Sequence, residues 1–291
     1  MAFHSVKGLL EAAQAVPLWQ AVQADDCKDS GETKENSWSR MSALWKAMGD
    51  TQDDYDPGRR SQSGLVGGDG ALLEGEGPGL CPPFMRQVIA TALKAGECNA
   101  CMRRVVAAPT AGSSGVLPAV LLPLQRRDRL SAEMMVQALY VAAGFGQVIA
   151  ARSSISGAEG GCQAEVGSAS AMAAAALVHT KAGTPEQMAH ACALALANTL
   201  GLVCDPVGGL VEVPCVSRNV MGAVNALSCA EMALSGVQSR IPCDEVIDAM
   251  REVGAALPAA LRETGQGGLA ATPTGRRFQE RRAEEPKDSA Q

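Results

Sequence analysis

Three cysteines stand where a metal could use them. Cys204 and Cys215 bracket the stretch CDPVGGLVEVPC, and Cys162 lies in EGGCQAEVG. The bracketed stretch cannot be a regular element. Pro206 and Pro214 lack the N–H that a helix interior or a central strand needs, and Gly208 and Gly209 punctuate it further. Something other than a ladder of backbone bonds must hold it. Thiolates bind zinc and iron, and a metal can hold a loop that has no regular hydrogen bonds. The spacing is not C-x-x-C, so zinc-finger and ferredoxin patterns are both absent. On spacing alone, small buried core residues remain the alternative. The number of ligands would matter. An iron–sulfur cluster normally takes four cysteines. Three leave one iron open as a Lewis acid toward a hydroxyl.

A second candidate is APTAGSSGVLPAVL at 108–121. Thr110, Ala111, Gly112, Ser113 and Ser114 offer hydroxyls and backbone N–H groups. A helix starting at or just after Ser114 would favour an anion at its N-terminus, and an amino-acid carboxylate has the right size. A plain Gly/Ser turn is the alternative. Glu159 and Glu165 flank Cys162, and Asp205 follows Cys204. Such groups could tune a metal, move a proton or form surface ion pairs.

Other candidates are weaker. Cys98 and Cys101 form C-x-x-C within a helical pattern but have no partner pair. Cys192 and Cys229 lie on alanine-rich helices, and Cys27, Cys81 and Cys243 have no companion motif. His4, His179 and His190 form no ligand or triad pattern. No dinucleotide fingerprint, P-loop or pyridoxal-phosphate lysine motif occurs.

The elements that must position these residues read as helices. The first spans residues 1–24, with Leu9, Leu10 and Ala13 on one face. ADDCKDSGETKEN reads as a polar connector, and SWSRMSALWKAMGD as a helix capped by Ser37. TQDDYDPGRRSQS is loop, and GLVGGDGALLEGEGPGLCPP is irregular. Further helices run over PFMRQVIATALKAGECNACMRRVVA, over SAEMMVQALYVAAGFGQVIA with Ser131 as cap, and over GSASAMAAAALVHTKAG, which should be buried. TPEQMAHACALALANTLG has the clearest start: Thr184 at N-cap, Pro185 at N1 and Gln187 completing a capping box. NVMGAVNALSCAEMALSG and PCDEVIDAMREVG follow, with Val246, Met250 and Val253 on one face of the latter. The fold class is all-α: one helical domain over 1–275, with 1–50 packed on it, Gly/Pro/Ser-rich loops carrying the site, and a disordered polar tail over 276–291.

Composition agrees. Apolar residues make up 47% of the chain and aromatics only 3%, which suits helices packed closely through small side chains. A net charge of −6 and the lack of a basic stripe exclude nucleic acid as an expected partner. No segment reads as membrane-spanning, and no secretory signal opens the chain. The ten cysteines are therefore expected as reduced thiols in the cytoplasm.

Taken together, APTAGSSGVLPAVL, GAEGGCQAEVGSASAMAAAA and GLVCDPVGGLVEVPCVSRNVMGAVNA resemble the iron–sulfur-dependent L-serine dehydratases. SGLVGGDGALL and LPAALRETGQGGLAATPTG are similar to further segments of their α chain, so the resemblance runs from about residue 5 to 275. It implies a [4Fe–4S] cluster held by Cys162, Cys204 and Cys215. It also implies β-elimination of water from L-serine, giving pyruvate and ammonia without pyridoxal phosphate. The Thr110–Ser114 loop would then hold the substrate carboxylate, and a β subunit would be the partner, with self-association an open option. A related lyase acting on L-threonine or L-cysteine, or a non-catalytic iron–sulfur subunit, is the alternative. Two positions depart from the family pattern. Val66 stands where Thr is frequent. Gly208 stands where Ala is common and is expected to loosen its loop.

Overall fold

The most uniformly apolar segment of the chain, SASAMAAAALVHT, forms a helix in which every residue except His179 is buried. The computed structural model describes residues 3–75 and 79–284, the last three of them as backbone only. Among these residues there are twelve α-helical segments and no β-strand. In chain order they are α1 (Val6–Ala12), α2 (Leu18–Ser30), α3 (Lys34–Asp53), α4 (Pro83–Ala100), α5 (Val116–Asp128), α6 (Ala132–Arg152), α7 (Gly157–Gly160), α8 (Ser168–Thr180), α9 (Pro185–Ala197), α10 (Cys215–Leu234), α11 (Cys243–Ala256) and α12 (Pro273–Glu284).

Helix α8 is the centre. Alanine side chains on all its faces let α5, α6, α9 and α10 pack close around it. Where α10 passes over the segment leading into α8, Gly222 faces Val166 so closely that a Cβ would stand 2.8 Å from its methyl. The two ends of α6 and α9 follow local rules. Ser131 accepts from the Met134 N–H at 3.1 Å, and Thr184 and Gln187 form the reciprocal capping box. Helices α5, α8 and α10 all touch one another. The loops entering those three helices are the ones that carry residues 110–114, 162 and 215, so packing of the helices brings the loops together.

The N-terminal helices differ from the sequence reading. Pro17 separates α1 from α2, and α2 runs to Ser30 through residues that read as connector. Their polarity is that of a helix face turned to solvent. Thr33, not Ser37, caps α3. Ser37 lies inside α3, buried, with its hydroxyl 2.6 Å from that of Tyr140 on α6. Trp38 packs between Trp19 and Tyr140, at centroid distances of 5.6 and 6.1 Å, which docks α2 and α3 on α6.

Two other boundaries move. Helix α4 stops at Ala100, and Met102 takes a left-handed φ of 58°. Helix α12 carries regular structure to residue 284, where the tail was expected to begin at 276; residues 285–291 lie outside the described residues. By length and composition α6 is long and apolar enough to cross a membrane, and no such segment had been read from the sequence. In the fold, two-thirds of its most apolar window is buried, against α2, α3 and α8. The two departures from the family pattern are also explained. Val66 is buried in an apolar cluster with Ala100 and Val216, which suits valine. Gly208 has a φ of 65°, so glycine relieves strain there rather than loosening the loop.

Candidate metal and substrate site

Cys162 follows α7 and a sharp turn at Gly161, whose φ is 77°. A Cβ at Gly161 would stand 2.8 Å from the Leu202 carbonyl, so the close approach requires glycine. The next residue, Gln163, opens a π-helical turn over Gln163–Gly167, a local irregularity often found at functional positions. Its buried amide donates to the Met250 carbonyl at 3.0 Å and accepts from the Gly201 N–H at 2.8 Å. Its backbone N–H reaches the Leu202 carbonyl at 3.0 Å. One side chain thereby fastens the Cys162 turn to the segment that leads to Cys204.

Cys204 is extended. Its N–H donates to the Leu261 carbonyl at 2.8 Å, and its carbonyl accepts from Glu263 at 2.7 Å, forming an isolated bridge with Arg262. Beyond it, the Pro/Gly loop is closed by Val207 N–H to the Val213 carbonyl at 2.8 Å. Buried Glu212 accepts from the hydroxyls of Ser61, at 2.7 Å, and Ser63. These bonds hold the loop within the protein itself. Cys215 is the first residue of α10.

The sulfurs of Cys162 and Cys204 and a carboxylate oxygen of Glu165 lie within 4.8 Å of one another. The Cys215 sulfur stands outside that group, but the Cys162 charge reaches it and burial pushes its thiol up to about 12. The Cys204 thiol donates to Cys162, which holds the Cys162 thiol low, with the Arg218 guanidinium adding to the effect. The same bond and burial push Cys204 up. A metal bound here would take the place of the proton between the two sulfurs. A Cβ at Gly157 would stand 2.9 Å from the Cys204 sulfur, so only glycine lets this backbone pass so close to the thiols.

The Thr110–Ser114 loop meets the cysteines through Glu165. The Thr110 hydroxyl donates to Glu165, and a Cβ on Gly112 would stand 2.6 Å from the same carboxylate. Burial pushes the Glu165 carboxyl up, against the Thr110 bond that pulls it down. Thr110 also pairs with the Ser113 hydroxyl at 3.0 Å. Buried Asn219, on the first turn of α10, ties this loop to Cys215. It accepts from the Gly115 N–H at 2.9 Å and donates to the carbonyls of Gly112 at 2.8 Å and Cys215 at 3.0 Å. Much of the α5 N-terminus is consequently occupied, with the Leu117 N–H left without a partner among the described residues. Gly115 N–H goes to Asn219, Val116 N–H goes to the Ser113 carbonyl at 3.1 Å, and Pro118 has no N–H. The groups of this loop with no partner among the described residues are the N–H groups of Ala111, Gly112 and Ser113 and the Ser114 hydroxyl. That hydroxyl is buried and has no hydrogen-bond partner among the described residues. Ala111 is exposed; the next three residues are buried.

A family model described as the serine dehydratase alpha chain matches residues 13–270. This chain belongs to that family. It is 48% identical over 284 residues to the probable L-serine dehydratase alpha chain of Bacillus subtilis (strain 168), covering 96% of this chain and 95% of that one. A probable L-serine dehydratase alpha chain of Latilactobacillus sakei is 55% identical over 192 residues, 66% of this chain and 92% of that one. The L-serine dehydratase alpha chain of Peptoniphilus asaccharolyticus is 48% identical over 202 residues, 69% of each chain.

In this chain, sequence reasoning missed the polar residues that connect the loops. Arg218 and Asn219 lie one turn into a helix that is otherwise largely apolar and small, and a charge in such a helix was the available signal. Glu212 gave no signal, because its partner Ser61 is 151 residues distant, and the family-like segment over 257–275 did not reveal that it packs on Cys204 and Asp205. Cys98, Cys101, Cys192 and Cys229, which fit a helical core by sequence, are all buried. Cys98, Cys192, Cys229 and Cys243 are buried away from the three loops, and burial pushes the thiols of Cys98 and Cys229 up to about 11.

Proposed function

We propose that this chain is the α subunit of an iron–sulfur-dependent L-serine dehydratase, with Cys162, Cys204 and Cys215 holding a [4Fe–4S] cluster. Membership of the family, and relatives named for that reaction, support the chemistry. The observation that carries the site is Glu165, which links the thiol pair to the Thr110–Ser114 loop. The donor set fits the group: three buried thiols, one with its acidity raised by its neighbours, beside Gly157, where a side chain would collide with the Cys204 sulfur. When bound, such a cluster with three protein ligands supplies an open iron that acts as a Lewis acid toward the substrate hydroxyl.

The chain's own residues do the rest. The amides of Ala111, Gly112 and Ser113 and the Ser114 hydroxyl receive the serine carboxylate. Thr110 orients Glu165, and a Glu165 oxygen takes the proton from the serine α-carbon. Loss of that proton and of the β-hydroxyl leaves aminoacrylate, which hydrolyses to pyruvate and ammonia. A raised carboxyl is suited to this step, because it is closer to neutrality than an exposed glutamate. A β chain completes the enzyme, as the name alpha chain of the relatives suggests. Ten unpaired cysteines suit the cytoplasm.

The test is anaerobic purification, alone and with the β chain, with iron and sulfide quantified and pyruvate measured from L-serine. Sulfide released from L-cysteine, or products from L-threonine alone, would assign a different substrate. A cluster whose spectrum ignores added serine would make the chain a non-catalytic subunit.

A further inference from the structure

We propose that Arg218 is a positioning residue for the cluster, a fixed cation that joins the three ligand-bearing segments and sets the reduction potential and retention of the iron. The inference rests on the cluster reading above. Arg218 lies three residues after Cys215 on α10, and its side chain is only 14% exposed. One guanidinium nitrogen, Nη1, donates to the Cys162 sulfur at 3.2 Å and to the Val203 carbonyl at 2.8 Å. The other, Nη2, donates to Asp205 at 2.7 Å. A single side chain thus touches Cys162 directly, holds both neighbours of Cys204, and is rooted one turn beyond Cys215.

Its counter-ion is itself fixed. The second oxygen of buried Asp205 accepts from the Leu269 N–H at 2.8 Å. The preceding Gly268 has a φ of 56°, and a Cβ there would collide with the Asp205 carboxylate. The C-terminal segment is therefore folded onto Asp205, and Asp205 aims the guanidinium at the sulfur. The planar fork is what allows three acceptors to be met at once. A lysine ammonium keeps the charge but lacks that geometry. A buried charge would be costly here if it served packing alone. Against sulfur ligands it offsets the negative charge of the thiolates. Hydrogen bonds to ligand sulfurs, and the charge around them, are among the levers on cluster potential.

The test compares wild type, Arg218→Gln, Arg218→Lys and Asp205→Asn, each reconstituted anaerobically as the full chain. Three quantities are read: iron and sulfide per chain, the reduction potential and electron paramagnetic resonance spectrum of the reduced cluster, and the rate of iron loss to a chelator. In Arg218→Gln the potential should move negative, because the reduced cluster loses a stabilising cation. Iron loss should accelerate by about 10–100-fold, the range expected for removal of an outer-shell partner. Arg218→Lys should fall between Gln and wild type, and Asp205→Asn should change the spectrum with Arg218 intact. If Arg218→Gln misfolds by circular dichroism, the Lys and Asn variants are read in the same way. A wild-type cluster with unaltered potential, spectrum and iron retention in every folded variant overturns this role alone. A wild-type chain that takes up no iron and sulfide overturns the cluster reading, and this role with it.

Discussion

Asn219→Ala removes a side chain that ties the Thr110–Ser114 loop to the cysteine-bearing helix. Its amide oxygen serves the Gly115 N–H, and its amide nitrogen serves the Gly112 carbonyl, both buried. Each loop group left without a partner costs about 1–3 kcal/mol. The two together, with the small cavity, put the loss at roughly 3 kcal/mol. For a chain of this size that corresponds to a fall in Tm of about 5 °C. Asn219→Asp is the sharper probe because it keeps the shape. One carboxylate oxygen can still accept from Gly115, but the other now faces the carbonyl oxygens of Gly112 and Cys215. The buried charge and the opposed acceptors should make this variant at least as unstable as Asn219→Ala at pH 7. Its folded carboxyl would be raised above the unfolded value of about 3.9. The native variant then binds more protons than the unfolded chain, so its stability falls as pH rises through that window and recovers on acidification. The assay is thermal unfolding by far-ultraviolet circular dichroism under anaerobic conditions at several pH values, with KM for serine measured beside kcat. KM should rise in both variants, because the loop that receives the carboxylate is released. Wild-type Tm and KM in both would refute the coupling.

Thr110→Val should move the acid limb of kcat/KM to higher pH, since it removes the bond that draws the Glu165 carboxyl down and leaves burial to push it up. Glu165→Gln should lower kcat by about 10²–10⁴-fold and abolish that limb; a limb unchanged in the Gln variant would remove Glu165 from the proton transfer. Gly157→Ala places a methyl 2.9 Å from the Cys204 sulfur and should reduce iron content while the far-ultraviolet spectrum stays native. Gly49→Ala, with nothing within 4 Å and a place inside α3, should instead stabilise the protein by about 0.5–1 kcal/mol in urea denaturation. Cys204→Ser should lose iron and all dehydratase activity, whereas Cys27→Ser, half-exposed on α2, should be nearly silent; loss of activity in the latter would count against the ligand set.

Local rules made much of this protein legible in one dimension. The Thr184–Gln187 capping box, the Ser131 cap and the burial of the alanine-rich segment depend on residues within a few positions of one another, and all hold in the fold. The motif loops, as strings, were enough to place the chain in its family. Local polarity misled where a helix shows one face to solvent, as along α2, and where a serine at a plausible cap position is buried against a distant tyrosine. What tertiary structure alone decided is which polar groups meet. Cys162 and Cys204 are 42 positions apart, and Thr110 and Glu165 are 55 apart. Arg218 and Asn219 are neighbours in sequence yet reach opposite walls of the site, one toward the Cys162 sulfur and one toward the Gly112–Gly115 loop. Hydrogen bonds act over about 3 Å and carry no signature along the chain. Only the packing of α5, α8 and α10 brings their leading loops within that range.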